Sequence, residues 1–188
     1  MHFVPNFGPK GMLLVLGGVT TDGTFGFPSF DTIPVFDLDS KQWYNQSTSG
    51  EAPAGRGEHC VAVKASVNQS YEIFAYRGHN FSWGSGSIPF ETVHILPAFH
   101  WLHVDYPPLI PRAGGTCNAV AGSQILTVGG LDASQGYLEP ALSTKDPFAQ
   151  GLGIFDLDNL SWSQRYSASS PPYVQSDVVK QVYSQRKR

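Results

Sequence analysis

The segment VFDLDSKQW, residues 35–43, returns 119 residues later as IFDLDNLSW, residues 154–162. Halfway between these two copies lies VHILPAFHW, residues 93–101. In each copy a run rich in β-branched and apolar residues is followed by a short turn-like segment and a tryptophan, which predicts two strands joined by a turn. Because the unit returns at a period near 58 residues, the sequence predicts a repeat protein.

Two further features recur upstream of each tryptophan. Apolar strands end in glycine in MLLVLGG, YEIFAYRG and QILTVGG, and the segment RGEHCVAV from Arg56 matches RAGGTCNAV from Arg112. One unit is therefore predicted to hold four short strands. In the second unit they lie near residues 60–63, 71–76 and 92–96, and the fourth begins at Trp101. In the third unit they lie near residues 117–120, 124–128 and 153–157, and the fourth begins at Trp162. No stretch has a sustained 3.6-residue period with caps, so almost no helix is expected.

The repeated residues are interpreted first as fold determinants. The glycines permit a positive φ where a strand ends, and the aspartates are expected to accept hydrogen bonds from their own downstream amides. The tryptophans are expected to wedge between adjacent sheets, and the arginines to span two modules. These structural positions are Gly17, Gly18, Gly78, Gly129, Gly130, Asp37, Asp156, Trp43, Trp101, Trp162, Arg56 and Arg112.

Composition agrees with many turns and excludes two classes of protein. The 188 residues include 20 Gly and 14 Pro, and only 14% of them are charged. A net charge of −3 gives no general electrostatic footprint for nucleic acid. No run approaches 18 consecutive apolar residues, so no membrane span is predicted.

This order of features resembles the kelch repeat, in which a strand ends in Gly-Gly and a tryptophan opens the fourth strand. The phrases FGPKGMLLVLGG, ILPAFHW and RAGGTCNAVAGSQILTVGG are more narrowly similar to kelch-type ectodomains of filamentous-fungal cell-surface proteins. The resemblance covers about residues 7–175. It implies an all-β fold, a partial β-propeller of about three four-stranded antiparallel blades.

We divide the chain into an incomplete blade (residues 1–51), two further blades (52–107 and 108–167) and a C-terminal tail (168–188) that adds at most one strand. The first blade is expected to lack its inner strand, and we interpret the chain as a truncated or split form of a longer ancestor. Two departures from the repeat fall in the second blade, where Arg77 replaces a glycine and Ile95 replaces the turn aspartate.

The asparagines indicate a secretory origin. Four of the six begin N-x-S sequons, against about one expected by chance, namely Asn45, Asn68, Asn80 and Asn159. The resemblance implies a cell-surface or extracellular location, yet the first ten residues do not resemble a signal peptide, so the location of this chain stays open. Cys60 and Cys117 are expected to be buried thiols rather than a disulfide, because equivalent strands of neighbouring modules usually lie too far apart; both states remain open.

No catalytic residue, cofactor or metal site is predicted. His100 and His103 are expected to point to opposite faces of a strand, and His59, His79 and His94 match no zinc signature. The glycine-rich residues 82–87 lack the lysine of a phosphate loop. The basic residues 186–188 are expected to form a solvated tail.

The predicted function is therefore a non-catalytic interaction module that binds protein or glycan through loops on one face. The longest loop, residues 131–150, exceeds what a connection needs, and is either a contact surface or ordinary surface. The alternatives are a fragment of a galactose-oxidase-like copper-radical oxidase and a gene fragment without independent function. Three blades expose apolar flanks, so we expect further blades or self-association to cover them.

Overall fold

The computed structural model describes residues 1–19, 26–80, 82, 84–88, 90–105, 112–136 and 139–185. Three antiparallel sheets follow one another along the chain, each built from four consecutive strands. The first sheet holds β1 (His2–Val4), β2 (Met12–Leu14), β3 (Thr32–Asp37) and β4 (Gln42–Ser47). The second holds β6 (Cys60–Ala65), β7 (Tyr71–Tyr76), β8 (Val93–Pro97) and β9 (His100–Val104), and the third holds β10 (Thr116–Ala119), β11 (Gln124–Val128), β12 (Leu152–Asp156) and β13 (Ser161–Ser163). The two-residue β5 (Ser49–Gly50) adds a parallel fifth strand beside β9.

The first sheet is complete, and the expectation that it lacks its inner strand was wrong. β1 pairs antiparallel with β2, with His2 opposite Leu14 and Val4 opposite Met12. Val4 is fully buried. A strand of three residues that is followed at once by Pro5 is too short to show a two-residue alternation in the sequence.

The C-terminal tail contains a helix rather than a further strand. The chain has two α-helices among its described residues, α1 (Glu139–Leu142) and α2 (Asp177–Gln185). α2 buries Val179 and Val182, which share one face at i, i+3 spacing. The Tyr183 hydroxyl donates to the Tyr71 carbonyl over 3.3 Å, so the tail folds back onto the second sheet. No helix in the described ranges combines the length and the apolar character that crossing a membrane requires.

The core consists of two apolar layers, one on each side of the second sheet. Leu14, Ile33 and Val35 of the first sheet pack against the Ile73 side of the second. Phe155 of the third sheet packs against the opposite side, which carries Phe74. The alternation of side chains along each strand therefore gives the second sheet two buried faces, whereas its neighbours bury one face each against it.

The tryptophans show how the sheets are stacked. Trp101 is 1% exposed, and its indole N–H donates to the Phe30 carbonyl, just before the first sheet's β3, over 3.1 Å. Trp162 of the third sheet lies against Tyr76 of the second, with ring centroids 4.7 Å apart. Trp43 is 56% exposed. Trp101 and the partly buried Trp162 thus pack towards the preceding sheet, and among the described residues no strand precedes the first sheet.

The turns between third and fourth strands differ between sheets. Asp37 Oδ1 accepts from the Asp39 amide over 3.0 Å, and Asp156 Oδ1 accepts from the Asp158 amide over 2.8 Å, so each aspartate closes a four-residue turn. The second sheet turns on two residues only, Ala98 (φ 47°) and Phe99 (φ 59°). Two consecutive positive φ angles define the tight turn favoured in hairpins, which has no place for the aspartate.

Cys60 and Cys117 form a disulfide, and the expectation of two buried thiols was wrong. Their Cα atoms are 5.3 Å apart, within the range that a disulfide spans. Cys60 begins β6 and Cys117 lies in β10, the innermost strands of neighbouring sheets, which lie side by side. Because blades converge towards a central axis, equivalent inner positions approach each other far more closely than equivalent outer positions.

Candidate functional site

A concave site lies on the face where the second strands end in glycine. It is a cavity of about 400 Å³ between the first and second sheets. Its walls contain an aromatic ring, two histidines and one carboxylate. The lining residues are Gly18, Val19, Phe27, Gly57, Glu58, His59 and His79.

The backbone fixes the walls of this cavity. Gly57 and His79 exchange two backbone hydrogen bonds, both 3.1 Å long, which join the start of the second module to the end of β7. The ring of Phe27 lies where a Cβ on Gly57 would be, so a larger residue at position 57 would displace the ring. The His59 ring occupies the corresponding space beside Gly17. The glycines therefore allow aromatic rings to approach the backbone closely.

The histidines of the cavity are held in defined positions. His79 Nδ1 lies 3.1 Å from the Ser82 carbonyl, to which it donates, and its Nε2 lies 3.8 Å from a Glu58 carboxylate oxygen. Phe27 meets the His79 ring edge-on, with centroids 6.1 Å apart. Burial, reinforced by the Arg56 charge, lowers the pKa of His59 to about 4, so this ring is neutral near pH 7. The cavity thus combines apolar surface with one exposed carboxylate.

The repeated arginines support the loops around this face. Arg56 Nη1 donates to the Arg77 carbonyl over 3.2 Å and to Thr92 Oγ1 over 3.0 Å. Arg112 donates to Thr144 Oγ1 over 2.8 Å and to its carbonyl over 3.1 Å. These bonds stay within the module of each arginine, whereas the expectation was that they span two modules.

Arg77 is the arginine that reaches the next sheet. It adopts the glycine-like φ of 67° that Gly17 (68°) and Gly129 (62°) have at the equivalent corners. Its side chain is fully buried and donates to the Gly129 carbonyl of the third module. The replacement of a repeated glycine therefore adds a bond between sheets at a strained corner.

The predicted long loop lies on the same face as the cavity. Asp132 Oδ1 accepts from the Ser134 amide over 3.0 Å and opens a short 3-10 helix. This helix, Ala133–Gln135, contacts another at Gly84–Gly86, so the loops of the second and third modules form one surface. Tyr137 and Leu138 of this loop lie outside the described residues.

The sequence considered His59 and His79 only as candidate metal ligands, and it gave no signal for Phe27 or Glu58. Phe27 lies in an irregular segment without a repeated counterpart, so no periodic signal marks it. Gly57 follows the repeated Arg56, but Ala113 takes its place after Arg112, so the repeat does not mark it.

The other histidines do not converge on one centre. His100 Nδ1 lies 2.9 Å from Ser49 Oγ, and the His94 and His103 rings pack with centroids 5.0 Å apart. Within the described ranges, no group of three or more His, Cys, Asp or Glu side chains is arranged to hold a metal ion. Both cysteines are engaged in the disulfide, so neither carries the free thiol that a Tyr–Cys cross-link would require.

Acid is expected to destabilise the fold through the buried histidines. Burial lowers the pKa of His94 to about 3, while the unfolded chain takes up its proton near pH 6.5. The stabilisation from neutral His94 is complete above pH 6.5 and is lost as the pH falls towards 3. Urea titrations at pH 7 and pH 5 measure this effect. Between these two pH values the free energy of unfolding of His94→Phe should fall by about 2 kcal/mol less than that of wild type. Equal losses for both proteins would show that His94 is freely protonated in the fold.

The sequons differ in their surroundings. Asn45 and Asn159 are exposed. Asn68 Nδ2 donates to Gln175 Oε1 over 2.7 Å, and Asn80 Nδ2 donates to the Gly86 carbonyl over 3.3 Å. A glycan is therefore accommodated without loss of these bonds only at the first two positions.

Comparison with known proteins gives a consistent picture. No family model matches the chain. The chain is 34% identical over 174 residues to a "Kelch repeat-containing protein" of Arthroderma benhamiae, covering 88% of this chain and 24% of that protein. It is 26% identical to the human "Rab9 effector protein with kelch motifs", covering 87% of this chain and 39% of that one. The solved structure of YjhT matches with a TM-score of 0.50 at 16% identity, over 82% of this chain and 51% of that chain. The chain thus spans well under half of either curated relative.

Proposed function

The chain belongs to the kelch-repeat family of β-propeller proteins, and from this premise we propose that it is a non-catalytic module that binds another protein through its loop face. Kelch-repeat proteins generally bind proteins. The human relative is by its name an effector protein of Rab9. The activity and partners of the longer relatives are not assigned to this chain by similarity alone.

The observation that carries this proposal is the cavity beside Phe27. Interfaces are stabilised chiefly where a side chain of the partner enters a desolvated pocket that contains an aromatic ring. Here Phe27 and Val19 supply the apolar surface, and Glu58 supplies the charge at the rim. The cavity therefore suits a protruding apolar or basic side chain of a protein partner.

A phage-displayed peptide library tests the proposal. Peptides selected on the immobilised chain should bind Phe27→Ala at least about 10-fold more weakly, since the loss of one hot-spot aromatic costs about 1.4 kcal/mol or more. Val67→Ala, at a more exposed apolar position in the β6–β7 turn, should bind as wild type does. Peptides that bind both variants equally would place the interface elsewhere. Recovery of glycans from a glycan array, without any peptide, would favour a carbohydrate ligand instead.

We also propose that the chain derives from an extracellular or cell-surface protein. A disulfide between Cys60 and Cys117 is typical of an oxidising compartment. The exposed sequons at Asn45 and Asn159 support the same origin. Together they suggest that the face loops meet partners outside the cell.

The apolar flanks of the outer sheets complete the proposal. Phe3 and Trp43 of the first sheet are about half exposed. In a closed propeller, a neighbouring blade covers the flank of each sheet. Further blades or self-association would cover them.

A further inference from the structure

The first sheet carries a row of apolar side chains on its outward face. Successive strands place these residues directly opposite one another, Phe3 beside Leu13, Leu13 beside Phe36, and Phe36 beside Trp43. Phe3 is 50% exposed and Trp43 is 56% exposed. We call this surface, Phe3, Leu13, Phe36 and Trp43, the leading flank.

The same row exists in the third sheet, where it is buried. Ile125 lies opposite Phe155, and Phe155 lies opposite Trp162. This row packs against the second sheet, with Phe155 5.2 Å from Phe74 and Trp162 4.7 Å from Tyr76 between ring centroids. The leading flank therefore has the arrangement of a surface that another sheet covers, and it is exposed among the described residues.

The outward face of the third sheet has the complementary character. In the second sheet, the face that receives Trp162 carries Phe74 and Tyr76, which alternate along β7. Leu126 and Val128 hold the corresponding positions of β11, and Val128 lies opposite Leu152. Val128 is 37% and Leu152 40% exposed. We call this surface, Leu126, Val128 and Leu152, the trailing flank.

We propose that two copies of the 188-residue chain join head to tail, with the leading flank of each on the trailing flank of the other, and so close a ring of six sheets. Each contact repeats the stacking that the second and third sheets already show within one chain. The chain matches 51% of the YjhT chain, so that propeller has length for about twice these sheets, which two copies supply. A heterologous contact that closes after two copies leaves no flank exposed, and fibres do not form.

The test uses protein made in bacteria, because Asn45 lies on the same side of β4 as Trp43 and a glycan there would cover the leading flank. Sedimentation equilibrium should give twice the chain mass of 20.4 kDa. Trp43→Arg alone, and Val128→Arg with Leu152→Arg, should each sediment as monomers, with dissociation constants raised at least about 100-fold. Val67→Arg, at an exposed turn away from both flanks, should remain dimeric. Circular dichroism verifies that each variant is folded.

Mixing the two flank variants gives the decisive result. Each variant retains the flank that the other has lost, so the mixture gains one intact contact and should form open dimers, weaker than the closed wild-type ring, although neither protein dimerises alone. A folded wild-type monomer would overturn the proposal, as would higher assemblies in place of dimers. Persistence of the dimer in the Val128→Arg Leu152→Arg variant would show an isologous contact through the leading flanks and would equally overturn it.

Discussion

Replacing Trp101 with alanine should destabilise the fold by about 3–5 kcal/mol, because the indole is 1% exposed and wedged between two sheets. The loss includes its hydrogen bond to the Phe30 carbonyl. Trp43→Ala, the same substitution at the equivalent repeat position, should cost about 1 kcal/mol or less because that side chain is 56% exposed. Urea unfolding measures both values.

Both substitutions are best made in a Val128→Arg background, which removes the proposed contact between copies. Trp101→Phe serves as a milder variant if the alanine protein does not fold, and it should be less stable than both wild type and Trp43→Ala. Equal costs at positions 43 and 101 would mean that the sheets are not stacked in the order described.

Loss of the disulfide should produce the second large effect. Cys60 and Cys117 are separated by 57 residues, and closing a loop of that size stabilises a fold by about 4 kcal/mol through the unfolded state. Replacing both cysteines with serine should therefore lower the melting temperature by roughly 10 °C. Reductant should lower the melting temperature of wild type by a similar amount and leave the double variant unchanged.

Thiol titration provides the control for this prediction. Denatured wild type without reductant should contain no reactive thiol. Two reactive thiols, together with a melting temperature insensitive to reductant, would contradict the disulfide and remove the main support for an oxidising compartment.

The repeat made the architecture predictable from the sequence. Three copies of one strand–turn–strand unit predicted three antiparallel sheets, the first without its inner strand, and the glycine and tryptophan positions predicted the ends of β7 and β11 and the start of β9. The turn aspartates Asp37 and Asp156 close turns in the first and third sheets. Structure can be predicted from a repeated pattern because the same residues recur at the same positions in each copy.

Structural features that occur only once in the chain could not be predicted from the repeat. β1 spans three residues without a detectable alternation, and α2 depends on contacts with the second sheet that only folding creates. The disulfide depends on how closely inner strands converge, which is a property of the ring and not of any strand.

The candidate site was predicted in part for the same reason. The sequence predicted binding through loops on one face without locating this cavity, and His79 directly follows the glycine corner at Gly78. Phe27 comes from a connection without a counterpart in the other modules, and it reaches the cavity only because Gly57 leaves space for its ring. Binding residues of a repeat scaffold commonly lie in such unrepeated loops.

Nuclear Overhauser effects between aromatic rings test the stacking of the three sheets most directly. The account predicts contacts between the Trp162 indole and the Tyr76 ring, and between the Trp101 indole and the Phe30 ring, whose centroids lie 4.7 Å and 5.7 Å apart. Absence of both contacts in the folded protein, or contact of the Trp43 indole with the Tyr76 ring of the same chain, would contradict it.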